Sequence, residues 1–166
     1  MSTMDYIEFG LAPWVEFQNK EEDFRVEEPI FFDVIFEAQD GRIVLKYDLP
    51  ETPEQDYISI HCNSTVQIRI KSEQLWLSKE FEGVTTKEPL SSFYGGLVYG
   101  DYDEKHDRYK SVSFKARFNQ GGKFGTNHRF NINVDLLQYA DDGEPKWIGL
   151  SIDPDIKNPP PQNSGG

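Results

Sequence analysis

A strict two-residue alternation of apolar and polar side chains constrains this chain more than any other feature. In "TVQIRIK", Val66, Ile68 and Ile70 alternate with Gln67, Arg69 and Lys71. "SVSFKARF" sets Val112, Phe114, Ala116 and Phe118 against Ser113, Lys115 and Arg117. "RFNINVDL" sets Phe130, Ile132, Val134 and Leu136 against Asn131, Asn133 and Asp135, and "RIVLKYD" repeats the pattern with Ile43, Leu45 and Tyr47. Successive side chains of a strand point to opposite faces, so the alternation gives strands with one buried and one wetted face. Antiparallel sheets have that two-faced character, whereas parallel strands are apolar on both sides. Further strands are expected at 30–37, 56–62, 74–80, 93–99 and 146–152, with a short one near 15–18. Asp40-Gly41 and Asp142-Gly143 are hairpin signals, because glycine takes a positive φ without strain, and Asn63-Ser64 reads as a tighter turn. No helix of three turns is legible. The pattern predicts an all-β chain, an antiparallel β-sandwich or jelly roll of about eight to nine strands.

The 166 residues suit one domain, placed over 1–157. In "SIDPDIKNPPPQNSGG", Pro154 ends the last strand, Asp155 caps the turn, and the prolines at 159–161 keep the chain from re-entering a sheet. The expectation for 158–166 is a flexible tail. "NKEEDFRVEEP" (19–29) reads as a solvated acidic loop.

Charge narrows the partners. Twenty-nine acidic against 17 basic side chains give a net charge of −12. Such a surface repels phosphate backbones and anionic lipid, so neither nucleic acid nor a membrane is expected as a partner. The first residues lack the basic and apolar regions of a signal peptide, and no apolar run approaches a membrane span, so a cytoplasmic location is expected. The single Cys62 leaves no intramolecular disulfide; mid-strand, it reads as a buried inert thiol. His61, His106 and His128 show no zinc spacing, and no G-x-S-x-G elbow is present.

Three constellations remain. "GDYDEKHDRYK" (100–110) gathers Asp101, Asp103 and Asp107 on what reads as a hairpin tip, where hard oxygens would suit calcium, although the EF-hand order fails at Lys105, His106 and Val112. "NQGGKFGTNHRF" (119–130) combines glycines with Lys123 and Arg129, the best candidates for contacting an anionic or carbohydrate ligand. Trp76 and Trp147 each fall opposite the leucines and isoleucines of their own strands, on the non-core face, where a pair would make a sugar-stacking platform or a protein interface.

"DLPETPEQDYISIHCNSTVQIRI", "KFGTNHRFNINVDLLQY" and "IDPDIKNPPP" resemble a family of small bacterial proteins labelled "nucleotide synthetase". The resemblance covers most of the chain from about residue 30 and implies a bacterial origin, with no catalytic residues to carry over. The chain itself shows no P-loop, no G-x-G-x-x-G and no βαβ pattern. Three readings follow. The first is a non-enzymatic binding or self-assembling module with a protein partner or a second copy. The second is a calcium-dependent carbohydrate-binding module. The third, resting on the family label, is a nucleotide-related enzyme.

Overall fold

A computed structural model of the protein describes residues 29–53, 55, 57–60, 63–86, 96–116 and 126–158. These form eleven strands and, among the described residues, no helix. In chain order they are β1 (Ile30–Gln39), β2 (Arg42–Asp48), β3 (Tyr57–Ser59), β4 (Ser64–Ile70), β5 (Leu75–Leu77), β6 (Val84–Thr86), β7 (Val98–Asp103), β8 (Arg108–Ala116), β9 (Thr126–Tyr139), β10 (Pro145–Ile152) and β11 (Asp155–Asn158). The expected strand near 15–18, the acidic segment through residue 28, Cys62 with His61, and the prolines from 159 onward lie outside the described residues.

The first sheet runs β2-β1-β4-β8-β7. Asp40 and Gly41, both at positive φ (52° and 73°), join β1 to β2 in the two-residue turn that Asp-Gly signals. Most neighbours are antiparallel, but β1 lies parallel to β4, with Asp33 beside Arg69. That register carries a forked ion pair: Arg69 Nε and Nη2 donate to the Asp33 carboxylate at 2.6 and 3.0 Å.

The second sheet is built on β9, a strand of fourteen residues. Leu136 stands opposite both Ile148 of β10 and Leu75 of β5, so these two strands take opposite flanks of β9. β6 pairs with β9 beside β5, and β3 lies parallel to β11.

The alternating residues meet between the sheets. Phe32, Val34, Val66, Ile68, Val112 and Phe114 from the first sheet join Ile58, Leu75, Leu77, Phe130, Ile132 and Val134 from the second in one buried cluster. Phe32 stacks on Tyr47 at 4.9 Å and meets Phe130 across the core at 6.3 Å. The architecture is all-β, with two sheets facing across one core.

Four details differ from the sequence reading. β6 is too short to leave a periodic signal. Ser64, read as part of a turn, opens β4. β7 begins at Val98 and runs through Asp103, so Asp101 and Asp103 are strand residues and only 104–107 form the turn. β10 does end at Ile152, yet the chain does not leave the sheet: Ile152 stands opposite Ile132 and Asp155 opposite Arg129, the same register on β9. Pro154 lacks a donor but keeps its carbonyl, which accepts Phe130 N at 3.2 Å. β11 thus occupies 155–158, where the sequence reads as a turn and the start of the tail.

Phe32→Ala, which empties a site at 0% exposure between two aromatic partners, should cost about 3–5 kcal/mol of unfolding free energy in a urea titration. Tyr139→Ala, at 61% exposure, should stay within about 0.5 kcal/mol of wild type.

Candidate functional site

The alternation that sends Leu75 and Leu77 inward sends Trp76 to the outer face of the second sheet, where Asp135 of β9 and Trp147 of β10 also point. Trp76 and Trp147 meet edge to face at 5.4 Å. The far half of the β7–β8 hairpin lies against them. Its bend is local: pairing holds at Gly100–Ser111 and resumes at Tyr102–Tyr109, with Asp101 between them at a φ of 55°. A Cβ on Gly100 would lie 2.8 Å from Ser111 Oγ, so any other residue here would force that hydroxyl to shift.

Four hairpin side chains dock this arm. Asp103 accepts the Trp76 indole N–H at 2.9 Å and the His106 Nδ1 proton at 2.7 Å. The His106 ring lies 4.3 Å from Trp76. Arg108 donates to Asp135 at 2.7 Å and to the His106 carbonyl at 3.0 Å, while its guanidinium covers the Trp147 ring at 3.5 Å. Lys110 donates to the Ser72 and Leu75 carbonyls and lies 4.2 Å over the Trp76 ring. Burial lowers the Lys110 pKa from its ordinary value.

Docking leaves a cleft of about 380 Å³ between the hairpin and the 78–82 loop, lined by Ser78, Lys79, Glu80, Phe81, Glu82, Tyr99, Asp107, Arg108 and Tyr109. The loop is pinned at both ends. Lys79 N donates to Asp135 at 3.0 Å, Phe81 N to Ser78 Oγ at 3.0 Å, and Gly83 N to the Tyr99 hydroxyl at 2.8 Å. Phe81 in this loop is 65% exposed. Opposite, Tyr109 lies 5.2 Å from Tyr99 and 5.0 Å from Tyr102. On the rim, Lys79 Nζ pairs with Asp107 at 2.7 Å, and the Tyr102 hydroxyl also donates to Asp107. The Lys79 bond is the main reason the Asp107 carboxyl sits below its ordinary value, and the Asp107 bond pushes the Tyr102 hydroxyl up to about 12.

The residues singled out in the sequence fall into three groups. Trp76 and Trp147 do come together, but Trp76 is buried at 3% exposure and only Trp147, at 38%, offers surface. Asp101, Asp103 and Asp107 share the hairpin without converging: Asp103 serves Trp76 and His106, Asp107 serves Lys79 and Tyr102, and Asp101 makes the bend. Among the described residues no group of three or more His, Cys, Asp or Glu is arranged to hold a metal ion. Arg129 is exposed on the same outer face as Asp135, six residues along β9 and therefore roughly 20 Å away. Lys123 lies outside the described residues. Sequence reasoning passed over Lys79, Phe81, Arg108, Tyr109 and Asp135. Phe81 did carry a signal, a lone aromatic between glutamates in "KEFEG" with no period-two partner.

A family profile described as "Predicted novel nucleotide synthetase" matches residues 1–161. The chain belongs to that family. No curated protein matches it. Among the described residues of this family member, no helix is long and apolar enough to cross a membrane.

Two outcomes test the docking of the hairpin. Arg108→Ala strands the Asp135 carboxylate, whose side chain is 11% exposed, and should cost about 3–5 kcal/mol in denaturant unfolding. The second is pH-dependent. The bond from His106, aided by Trp76, holds the Asp103 carboxyl below its ordinary value of 3.8. A carboxyl depressed by folding stabilises the protein above the unfolded value, and that contribution disappears as pH falls through the folded one. Asp103→Asn should therefore be least stable relative to wild type near neutral pH. The two urea midpoints should converge below about pH 4.

Proposed function

We propose that the protein binds a nucleotide in the cleft between the 78–82 loop and the β7–β8 hairpin. The observation that carries the reading is one open cleft lined by exposed rings and by cations together: Phe81 and Tyr109 with Lys79 and Arg108. Every nucleobase has a flat face that stacks on an aromatic side chain. Phosphate oxygens take charge-assisted hydrogen bonds from an exposed lysine ammonium, and a fixed guanidinium adds positive potential beside it. The cleft's 380 Å³ lies within the roughly 300–1,000 Å³ typical of small-ligand sites. Membership in a family described by nucleotide chemistry favours a nucleotide over other flat anionic ligands.

Titration calorimetry with the ribonucleoside triphosphates tests it. A nucleotide should bind, and Phe81→Ala should weaken it by about 1–3 kcal/mol, about five- to 150-fold, as expected for one lost stacking ring. Because Phe81 is 65% exposed, the substitution should leave the melting temperature in place. Absence of heat with every nucleotide at millimolar concentration, or unchanged affinity in Phe81→Ala, would overturn the reading.

A second reading, self-assembly, rests on β10. Among the described residues this eight-residue strand pairs along its length with β9, on one flank, and Trp147 and Ile148 on it are each more than a third exposed. Strands of that kind are templates for a further strand, here a second copy. Light scattering decides: a mass of twice 19.2 kDa supports the pair, and 19.2 kDa removes it.

A further inference from the structure

Two cations line the cleft, and they are not equivalent. Arg108 is a fixed part of the frame. Its guanidinium is held by Asp135 at 2.7 Å and by the His106 carbonyl at 3.0 Å, it is stacked at 3.5 Å on Trp147, and its side chain is only 12% exposed. Moving it to meet a ligand would strand a buried carboxylate. Lys79 is the opposite case. Its backbone is pinned through N–H to Asp135, but its side chain is 56% exposed and its ammonium pairs with Asp107, also 56% exposed, at 2.7 Å.

Resting on the nucleotide reading above, we infer that Lys79 is the phosphate-contacting residue of the cleft and that Asp107 is a built-in competitor occupying it until the anion arrives. The exchange is chemically reasonable. An exposed ion pair is weak and screened by salt, whereas a phosphate presents several oxygens and more charge than one carboxylate. Asp107 is also held ready for its role. It stands in the left-handed backbone region at a φ of 53°, and the Tyr102 hydroxyl fixes its carboxylate at the cleft rim. On exchange Asp107 keeps the Tyr102 bond, so releasing Lys79 does not orphan it.

The test compares wild type, Lys79→Gln and Asp107→Asn, titrated with ribonucleoside triphosphates and with the corresponding nucleosides. Asn is well suited to the left-handed position and keeps an oxygen for Tyr102, so Asp107→Asn should fold and melt within about 2 °C of wild type. Lys79→Gln should weaken the triphosphate about tenfold and leave the nucleoside unchanged, as expected for one lost charge-assisted bond. Asp107→Asn should tighten the triphosphate about three- to tenfold, again without effect on the nucleoside, because the competitor no longer carries charge. A purely structural Asp107 would not tighten anything. If wild type binds the triphosphate and Asp107→Asn binds it equally or more weakly, the inference fails while the cleft reading stands. The same holds if Lys79→Gln weakens nucleoside and triphosphate alike. If none of the three proteins binds a triphosphate, the cleft reading itself falls and takes this inference with it.

Discussion

One carboxylate organises the outer face of the second sheet. Asp135 projects from the middle of β9, where a period-two strand puts a polar residue, but it does not point into water. It accepts Arg108 Nε from the hairpin at 2.7 Å and Lys79 N from the 78–82 loop at 3.0 Å, and it is 8% exposed. Two segments from different places in the chain are thus fixed to the same oxygen. The cost of burying that charge is offset only while both donors are present, which makes the arrangement close to all-or-none. The aromatic contacts depend on it in turn. Arg108 can cover Trp147, and His106 can lie on Trp76, only with the hairpin held down. The cleft exists because these two segments are held side by side.

Much of the fold was legible because burial alternates with period two through β4, over 112–116 of β8 and over 129–134 of β9. Val66, Ile68 and Ile70, or Phe130, Ile132 and Val134, leave no other way to bury their faces than a two-sided sheet packed on another. The turn at Asp40-Gly41 was equally plain, since both residues need positive φ. The parallel pairing of β1 with β4 was not legible, because periodicity fixes which face a residue takes and not which strand lies beside it. β11 was missed for a different reason. Pro154 was weighed as a lost donor, while its carbonyl, which continues the ladder to Phe130, left no trace in the sequence.

The site was legible only in pieces. That Trp76 and Trp147 share the non-core face follows from local alternation, and the structure places their rings 5.4 Å apart. That Trp76 is covered does not follow from alternation, because the cover is a hairpin 27 residues further on, reaching back through Asp103. The acidic run at 101–107 reads as a ligand set when taken as composition. In space its carboxylates are divided between an indole, an imidazole, a lysine and a tyrosine. A count of charges along the chain cannot distinguish those situations, since each is settled by partners distant in sequence.

Net charge gives the last constraint. With 29 acidic against 17 basic side chains, cations on this surface have carboxylates close at hand. Lys46 pairs with Glu37, Arg69 with Asp33, Lys79 with Asp107 and Arg108 with Asp135. Both cations that line the cleft are among these pairs, so an anion bound there has to displace a carboxylate, and the question becomes which pair can open. Arg69–Asp33 and Arg108–Asp135 are mostly buried, forked or stacked, and opening either would leave a charge without water. Lys46–Glu37 is exposed but crosses between β1 and β2 and is not among the side chains that line the cleft. Lys79–Asp107 combines exposure with a cleft and with rings beside it. An anion bound in this cleft needs a pair of that kind: weak enough to exchange, and mounted on a loop whose backbone is held by Asp135.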